Sequence, residues 1–427
     1  MSYIGQATDG ISDSIYEFEE GDNIYLDTSA YARISAIDSL SADLLRLASF
    51  IYAADLSIHR LEREQHIRSI ELRVPLVNFD IFERLKKPIE AALRVLSHDN
   101  WALSFERVEG TQPVRTSWTS PEAATLMFSG GLDSFAGAPY LLNKYDALTL
   151  VSHTNNNKSV SGAQNELFSV IEKLHGGMVD HLQIRIYGRK NRRDFPTSRE
   201  DSQRTRSFLF VSLASIAARL YGSRQVVVMA ENGQFSIHLP LSEARIGSFS
   251  THTAHPEFLY RMQEIMRELF DCPDFSVSNP FCYLTKGEVV GYLPTAVYDD
   301  IHKSGSCWMG SRTNKTHCGI CIPCLSRRIA LESHGIHIDE YDRDLLNENI
   351  GALPESDTGK RNIVDLCQFI SAFDGPGALV SEDELCMIYP DLVNPSINAT
   401  EAISMYRRFA KESYAIFSNY PNVAAIL

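Results

Sequence analysis

The first stretch that could do chemistry is SGGLDS, at residues 129–134, directly after a short apolar run. Its paired glycines permit positive φ and let backbone amides approach an anion closely. Successive amides beside a helix N-terminus form an anion-binding nest, to which Ser129 and Ser134 add hydroxyl donors. Asp133 is unusual beside a phosphate, so we interpret it as a helix cap or as a holder of a loop amide or Mg²⁺. A tight strand-to-helix turn is the competing interpretation.

A second candidate site is a cysteine cluster with the pattern C-x10-C-x2-C-x2-C, formed by Cys307, Cys318, Cys321 and Cys324. Thiolates two residues apart can wrap one tetrahedral ion, and four of them match a closed structural zinc site. An iron–sulfur cluster is the rival, but no cysteine follows Cys324 at the x3 interval that this run needs. Four free thiols are a third interpretation. His317 is a spare ligand candidate, although we favour a residue that supports the ligands or is exposed.

The elements that must position these residues alternate between apolar strands and helices from about residue 123. Strands are predicted at 124–128, 147–153, 181–188 and 225–230, and helices at 133–142, 162–176, 207–222 and 256–270. Apolar strands separated by helices predict an α/β fold with a parallel sheet covered on both faces. The 129–134 loop would then lie at the carboxyl edge of the sheet, where open α/β sheets bind ligands.

The flanking sequences predict two further parts. Before the sheet, residues 67–76 and 101–109 read as strands and 82–97 as a helix, followed by a polar, proline-bearing linker at 110–122. After about residue 340 the chain is helical in pattern. We therefore divide the chain into an N-terminal α+β extension at 1–118, a central domain at 119–340 and a C-terminal helical region at 341–427.

Composition narrows the class of protein. The 427 residues carry a formal charge of −14, which disfavours direct binding to nucleic acid because that task needs many cations. No apolar run is long enough for a membrane span, and the first residues do not read as a signal peptide. Crowded cysteines in such a chain suggest a metal rather than disulfides. We expect a cytoplasmic protein without a membrane partner.

Together these motifs resemble one family. SGGLDS is similar to the PP-loop of ATP pyrophosphatases, and its combination with TKGE at 285–288 and the cysteine run resembles the QueC family, the cyano-deazaguanine synthases. Further similarity lies in RTRSFLFVSLASIAA at 204–218, NPFCYLTKGEVV at 279–290 and PEF at 256–258. The resemblance covers about 123–338. It implies a HUP-type doubly wound parallel sheet with a structural zinc site, to which the flanking parts are additions.

The resemblance also implies a reaction. ATP adenylates the carboxylate of a 7-deazaguanine, ammonia displaces AMP to give an amide, and a second activation gives a nitrile. The implied cofactors are ATP, Mg²⁺ and structural Zn²⁺, and the implied substrate is a small deazapurine. Adenylation makes chemical sense because a carboxylate oxygen leaves poorly, whereas AMP leaves well.

Site residues follow from the same resemblance. It implies catalytic roles for Ser129, Asp133 and Lys286. It implies contacts to ATP or pyrophosphate for Ser129, Gly130, Gly131, Leu132, Asp133, Ser134 and Arg204. Arg206 is a further cation candidate, since both arginines lead into a predicted helix whose N-terminus favours anions. The loop at 188–206 is locally basic, which suits a lid over ATP, a site for an acidic partner or an exposed charged loop.

The stretches expected to recognise the base depart from the family pattern. Glu231 and Asn232 stand where the family shows a G-x-N-x-x-D pattern, and the aspartate is missing. His252 and His255 precede PEF in place of other polar groups. We take Glu231, Asn232 and His255 as candidate substrate contacts, with capping and loop roles as the alternative for the histidines.

Longer QueC-like proteins are implied to belong to bacterial anti-phage operons, the Qat type being the most similar. That context suggests a second acceptor besides ammonia, namely an amine of a protein substrate or subunit from the same operon. Two other functions stay open. One is a tRNA-thiolating PP-loop enzyme, and the other is a non-catalytic nucleotide-binding scaffold.

Overall fold

The computed structural model describes residues 3–10, 14–60, 67–111, 117–119, 122–154, 158–188, 199–200, 202–227, 231–241, 253–309, 315–338, 340–375, 378–379 and 381–427. The strands are β1 Ile4–Asp9, β2 Ile15–Glu19, β3 Ile24–Asp27, β4 Ser69–Leu76, β5 Asn100–Arg107, β6 Ala123–Met127, β7 Ala147–Thr154, β8 Val179–Gly188, β9 Gln225–Val227 and β10 Ser276–Ser278. The helices are α1 Ser29–Ala32, α2 Ser39–Ser57, α3 Phe79–Ser97, α4 Leu132–Leu142, α5 Lys158–His175, α6 Arg206–Tyr221, α7 Gly233–Ile237, α8 Pro256–Leu269, α9 Lys286–Val290, α10 Ile322–Glu332, α11 Thr358–Phe373, α12 Glu382–Ile388, α13 Ala399–Phe417 and α14 Pro421–Ala424.

The main sheet has six strands in the order β10-β9-β6-β7-β8-β3. Neighbouring strands are parallel, except that β3 runs antiparallel to β8. Successive residues of β6 enter different cores, Leu126 with α4 and α5 and Met127 with α6, as the alternation of side chains in a strand requires. Helices therefore cover both faces, and the predicted α/β fold with a parallel sheet is confirmed.

The order of the strands places a ligand crevice at the end of β6. The chain continues from β6 to β7 on one side and later returns to β9 on the other side. In open α/β sheets, such a reversal of strand order opens a crevice at the carboxyl edge. The sequence SGGLDS spans the end of the connection from β6 to α4 and the first turn of α4, so the fold brings the predicted anion-binding loop to this crevice.

The N-terminal segment adds a second sheet in the order β2-β1-β4-β5 and covers the outer side of α6. The predicted strands and helix of this segment are present as β4, α3 and β5. Hydrogen bonds of Tyr31 and Asp55 connect the N-terminal segment to α6 of the main sheet layer. The Tyr31 hydroxyl donates to the Leu213 carbonyl at 2.8 Å, and the Asp55 carboxylate accepts from the backbone and hydroxyl of Thr205 at 2.9 Å each. The segment thus shares one apolar core with α6.

The C-terminal segment is helical and packs against the carboxyl edge of the main sheet. Helices α11 to α14 form an apolar core together with α10 and residues next to α7. In the part of the chain that the structure describes, no helix combines the length and the apolar character needed to cross a membrane. The N-terminal segment shares one apolar core with the main sheet layer, and the C-terminal segment shares another with α10, so both flanking segments pack against the central one.

Candidate active site

The loop after β6 contains one backbone feature expected of an anion nest, a glycine with positive φ. Gly130 has φ of +81°, a left-handed conformation that favours glycine. A Cβ added at Gly131 would lie 3.2 Å from the carbonyl oxygen of Gly305, so a second backbone closely approaches the loop. The Gly131 amide donates to Ser129 Oγ at 3.2 Å, and Ser134 Oγ donates to the Gly131 carbonyl at 3.0 Å. The two serines thus fix the turn.

Asp133 lies in the first turn of α4 and is nearly buried, with 8% exposure. One carboxylate oxygen accepts from Lys286 Nζ at 2.5 Å. The other accepts from Asn232, through the side-chain amide at 2.6 Å and the backbone amide at 3.3 Å. Asp133 therefore holds a loop amide, as one of its predicted roles proposes. It is not the N-cap of α4, a position that Gly131 occupies.

Lys286 begins α9, where Thr285 and Glu288 form a reciprocal capping box. The C-terminal segment supports this turn. Thr285 Oγ1 donates to Glu412 Oε1 at 2.6 Å, and Arg408 Nε donates to Glu288 at 2.8 Å. Lys286 is 5% exposed, so its side chain has little freedom to move. The fixed turn at the start of α9 therefore sets where its ammonium group lies in the crevice. Helix α13 consequently positions a residue of the candidate site.

Glu231 contributes a second acidic group to the crevice. Burial is the main cause that raises its pKa to about 7, the Asp133 charge adds to the shift, and Lys286 opposes it. Its Oε2 is closed off from solvent and has no hydrogen-bond partner among the described residues. The neighbouring Asn232 Oδ1 and Gln234 Nε2 are buried and unpartnered in the same way. Such a group of unpaired polar atoms is unusual in a folded protein and indicates a place for a ligand.

Arg204 and Arg206 point to different places. Arg204 donates to the Ser97 carbonyl at 3.2 Å and lies beside the N-terminal segment. Arg206 lines a cavity of about 70 Å³ together with Ser129 and His153, at the ends of β6 and β7. The structure therefore does not bring Arg204 to the loop, and it places Arg206 there instead. Most of the loop at 188–206, including 189–198, lies outside the described residues.

Two cavities share lining residues near the loop, and the smaller of them adjoins the loop itself. The smaller, of about 150 Å³, is lined by Ser129, Gly131, Leu132, Asp133, Ser134, Glu231, Phe235, Lys286, Gly305, Ser306, Trp308 and Pro323. The larger, of about 580 Å³, extends from Phe235 and Trp308 to residues of α3 and α13. Both aromatic side chains line both cavities, and Trp308 is 56% exposed. They form the boundary between the loop and the larger cavity.

The larger cavity contains His98, His238 and His255. Burial lowers the pKa of each, so they are neutral imidazoles near pH 7. His255 Nδ1 also accepts from the Glu257 amide at 3.2 Å and caps α8, which agrees with the alternative role considered for it. His252 lies outside the described residues. His255 and Asn232 are thus close to the crevice, but neither lines the smaller cavity.

The four cysteines form one compact cluster. Their sulfur atoms all lie within 4.8 Å of one another, and three of the residues are buried. Cys307 and Cys321 are 4.0 Å apart, Cys318 and Cys324 3.8 Å, and Cys321 and Cys324 3.3 Å. Tetrahedral Zn–S bonds of about 2.3 Å would place the sulfurs roughly 3.8 Å apart. The cluster could therefore hold a metal such as zinc, with no position left for water.

These features define a class: an α/β protein with a glycine-containing loop at the carboxyl edge of its parallel sheet and, beside it, a four-cysteine cluster that could hold a metal. Residues 123–335 match the family model described as Queuosine biosynthesis protein QueC. The match supports a QueC-like family for this segment, and with it an ATP-using enzyme that activates a carboxylate. No curated protein matches the chain.

Several residues of the site were not predicted from the sequence. Phe235 and Trp308 had no signal beyond their aromatic character. Gly305 belongs to no motif, and Ser306 is known from the sequence only as the serine that precedes the first cysteine of the run. Only the position of Trp308 directly after a predicted metal ligand could have indicated that it lies near the crevice.

Proposed function

We propose that this protein uses ATP to adenylate the carboxylate of a 7-deazaguanine and releases pyrophosphate. The observation that carries the proposal is the 129–134 loop, with its left-handed glycine, at the crevice of a QueC-like sheet. Loop amides and the Lys286 ammonium group would bind the β- and γ-phosphates, and Arg206 would contact the nucleotide. Asp133 is the candidate ligand for Mg²⁺, whose charge would offset that of the departing pyrophosphate.

The first step forms a bond between a carboxylate oxygen and the α-phosphorus of ATP. The bond from that phosphorus to the bridging oxygen breaks, and pyrophosphate leaves with its electron pair. An amine then attacks the acyl carbon, AMP leaves, and the amine loses a proton. With ammonia the product is a primary amide, and activation of its oxygen by a second ATP allows loss of AMP to give a nitrile.

The larger cavity supports a variant in which the acceptor is a protein amine. Ammonia does not need about 580 Å³, and the walls include residues of α3 and α13, outside the matched segment. We therefore propose the amide with a partner protein as a second product. A Qat-type anti-phage role stays a prediction, which a phage-plating assay with the Asp133→Asn variant would test.

Pyrophosphate release with ATP and carboxy-deazaguanine tests the proposal. We expect release with the acid, and mass spectrometry should find an amide, a nitrile or a modified co-expressed protein. Release that depends on tRNA would favour the thiolating alternative, which the acidic charge disfavours. No ATP turnover, with Asp133→Asn behaving like the wild type in cells, would leave the scaffold alternative.

A further inference from the structure

We propose that Arg327 is a positioning residue that couples the cysteine cluster to the phosphate-binding loop. The inference rests on the proposed function, because it concerns how that loop is held. Arg327 is fully buried, on helix α10, and does not line the crevice. It therefore acts through the residues that it contacts.

The contacts of Arg327 converge on one short segment. Its guanidinium donates to Ser304 Oγ at 2.9 Å, to Ser306 Oγ at 3.2 Å and to the Ile301 carbonyl at 2.9 Å. Glu340 accepts from Nε at 2.6 Å and fixes the plane of the group. One buried planar fork thus holds both residues that flank Gly305, which a lysine cannot reproduce.

Gly305 connects this segment to the 129–134 loop by a backbone hydrogen bond. Its amide donates to the Gly130 carbonyl at 2.9 Å, on the residue with the left-handed backbone. The Gly130 carbonyl and the Gly131 amide belong to one planar peptide unit of the proposed anion nest, and that amide donates to Ser129 Oγ at 3.2 Å. Gly305 therefore fixes the Gly130–Gly131 peptide from its carbonyl side, as Ser129 does from its amide side.

The cysteine cluster holds the same segment from the other side. Cys307 directly follows Ser306, and the Ser306 amide donates to His317 Nε2 at 3.1 Å. His317 precedes Cys318, is fully buried, and has Nδ1 3.4 Å from Glu340 Oε2. A metal bound by Cys307 and Cys318 would thus fix the neighbouring Ser306 and His317. Ser306 accepts a hydrogen bond from Arg327, and His317 lies beside Glu340, the carboxylate partner of Arg327.

The test compares Arg327→Lys with Arg328→Lys in the full-length zinc-loaded protein. Arg328 is the adjacent residue but pairs with Glu332 and Asp344, away from the segment. We expect Arg327→Lys to weaken binding of inorganic pyrophosphate with Mg²⁺ at least five-fold, at unchanged zinc content, while Arg328→Lys binds like the wild type. Ser304→Ala removes one hydrogen-bond acceptor of Arg327 and leaves the ion pair of Arg327 with Glu340 in place. This variant should also bind pyrophosphate more weakly than the wild type.

Hydrogen exchange separates this inference from the proposed function. Without any nucleotide, we expect faster exchange of the Gly305 amide in Arg327→Lys and after zinc removal, and not in Arg328→Lys. A wild-type protein that binds no pyrophosphate would contradict the proposed function. The exchange rates at Gly305 would then decide by themselves whether Arg327 couples the cysteine cluster to the loop. Folded, zinc-loaded Arg327→Lys and Ser304→Ala variants with wild-type exchange at Gly305 would overturn the inference.

Discussion

At the scale of single residues, the ion pair between Asp133 and Lys286 supports both stability and the proposed chemistry. Both side chains are nearly buried, so removing one partner leaves an uncompensated charge. We expect Lys286→Met to lower the free energy of unfolding by roughly 3 kcal/mol. Adding Asp133→Asn should restore at least half of that loss, because it removes the unpaired charge. Urea denaturation of the single and double variants measures this coupling.

The same pair separates stability from activity. We expect the double variant to remain inactive, with pyrophosphate release reduced by about 10²-fold or more, because both proposed charges are lost. Lys86→Met is the matched control, since Lys86 and Glu83 form a partly exposed pair on α3 and neither residue lines the smaller cavity. A double variant no more stable than Lys286→Met would contradict the description of a buried, coupled pair.

Glu231 makes stability depend on pH. Its pKa is raised from 4.5 to about 7 in the folded protein, so the folded state binds more protons than the unfolded state between these values. Stability from this group is present below pH 4.5 and is lost as the pH rises through 7. We therefore expect Glu231→Gln to be more stable relative to the wild type at pH 8 than at pH 5.

Urea titrations of both proteins across pH 5 to 8, without nucleotide or Mg²⁺, measure this difference. Glu412, whose pKa is also raised to about 7 by burial, contributes a slope of its own. Glu412→Gln should therefore remove a separate share of the pH dependence. A constant difference between Glu231→Gln and the wild type would show that Glu231 does not titrate in this range.

At the scale of elements, the connection from β6 to α4 depends on Gly130. Its φ of +81° costs an alanine about 1–2 kcal/mol, and the added Cβ would lie 3.2 Å from Gln164 Cγ. We expect Gly130→Ala to lower stability by about that amount and to abolish pyrophosphate release. Gly162→Ala, inside α5 and with no atom near the added Cβ, should instead leave activity unchanged and stability equal or higher. Thermal melts and turnover assays distinguish the two variants.

The sequence predicted the elements whose signals are local. Alternating apolar strands and helices predicted the main sheet, and short cysteine spacings predicted the compact four-cysteine cluster. Strand β3 was not predicted, because four residues show little periodicity and their partner in β8 lies far along the chain. Helical periodicity also could not show which of Arg204 and Arg206 lies near the 129–134 loop, because the backbone that precedes α6 sets the directions of both side chains. The contact of Gly305 with Gly130 joins distant segments and has no sequence signal.

At the scale of the whole molecule, the N-terminal segment holds the start of α6 and thereby Arg206. Asp55 accepts from both donor groups of Thr205 and pairs with the buried Arg68 at 2.5 Å. Asp55→Asn leaves Asp99 as the one carboxylate that pairs with both Arg68 and Arg60, so one buried positive charge is uncompensated. Because removing one member of a buried pair is costly, we expect a loss of roughly 3 kcal/mol in the free energy of unfolding.

The loss should extend to the nucleotide site. Since the two segments share one core, we expect Asp55→Asn to give a single thermal transition at lower temperature, with faster hydrogen exchange at residues 205–210 and weaker binding of ATP. Asp80→Asn is the control, because its pair with Arg107 is exposed and such surface pairs contribute little to stability. Two separate transitions, or wild-type exchange at 205–210, would show that the N-terminal segment does not support the site.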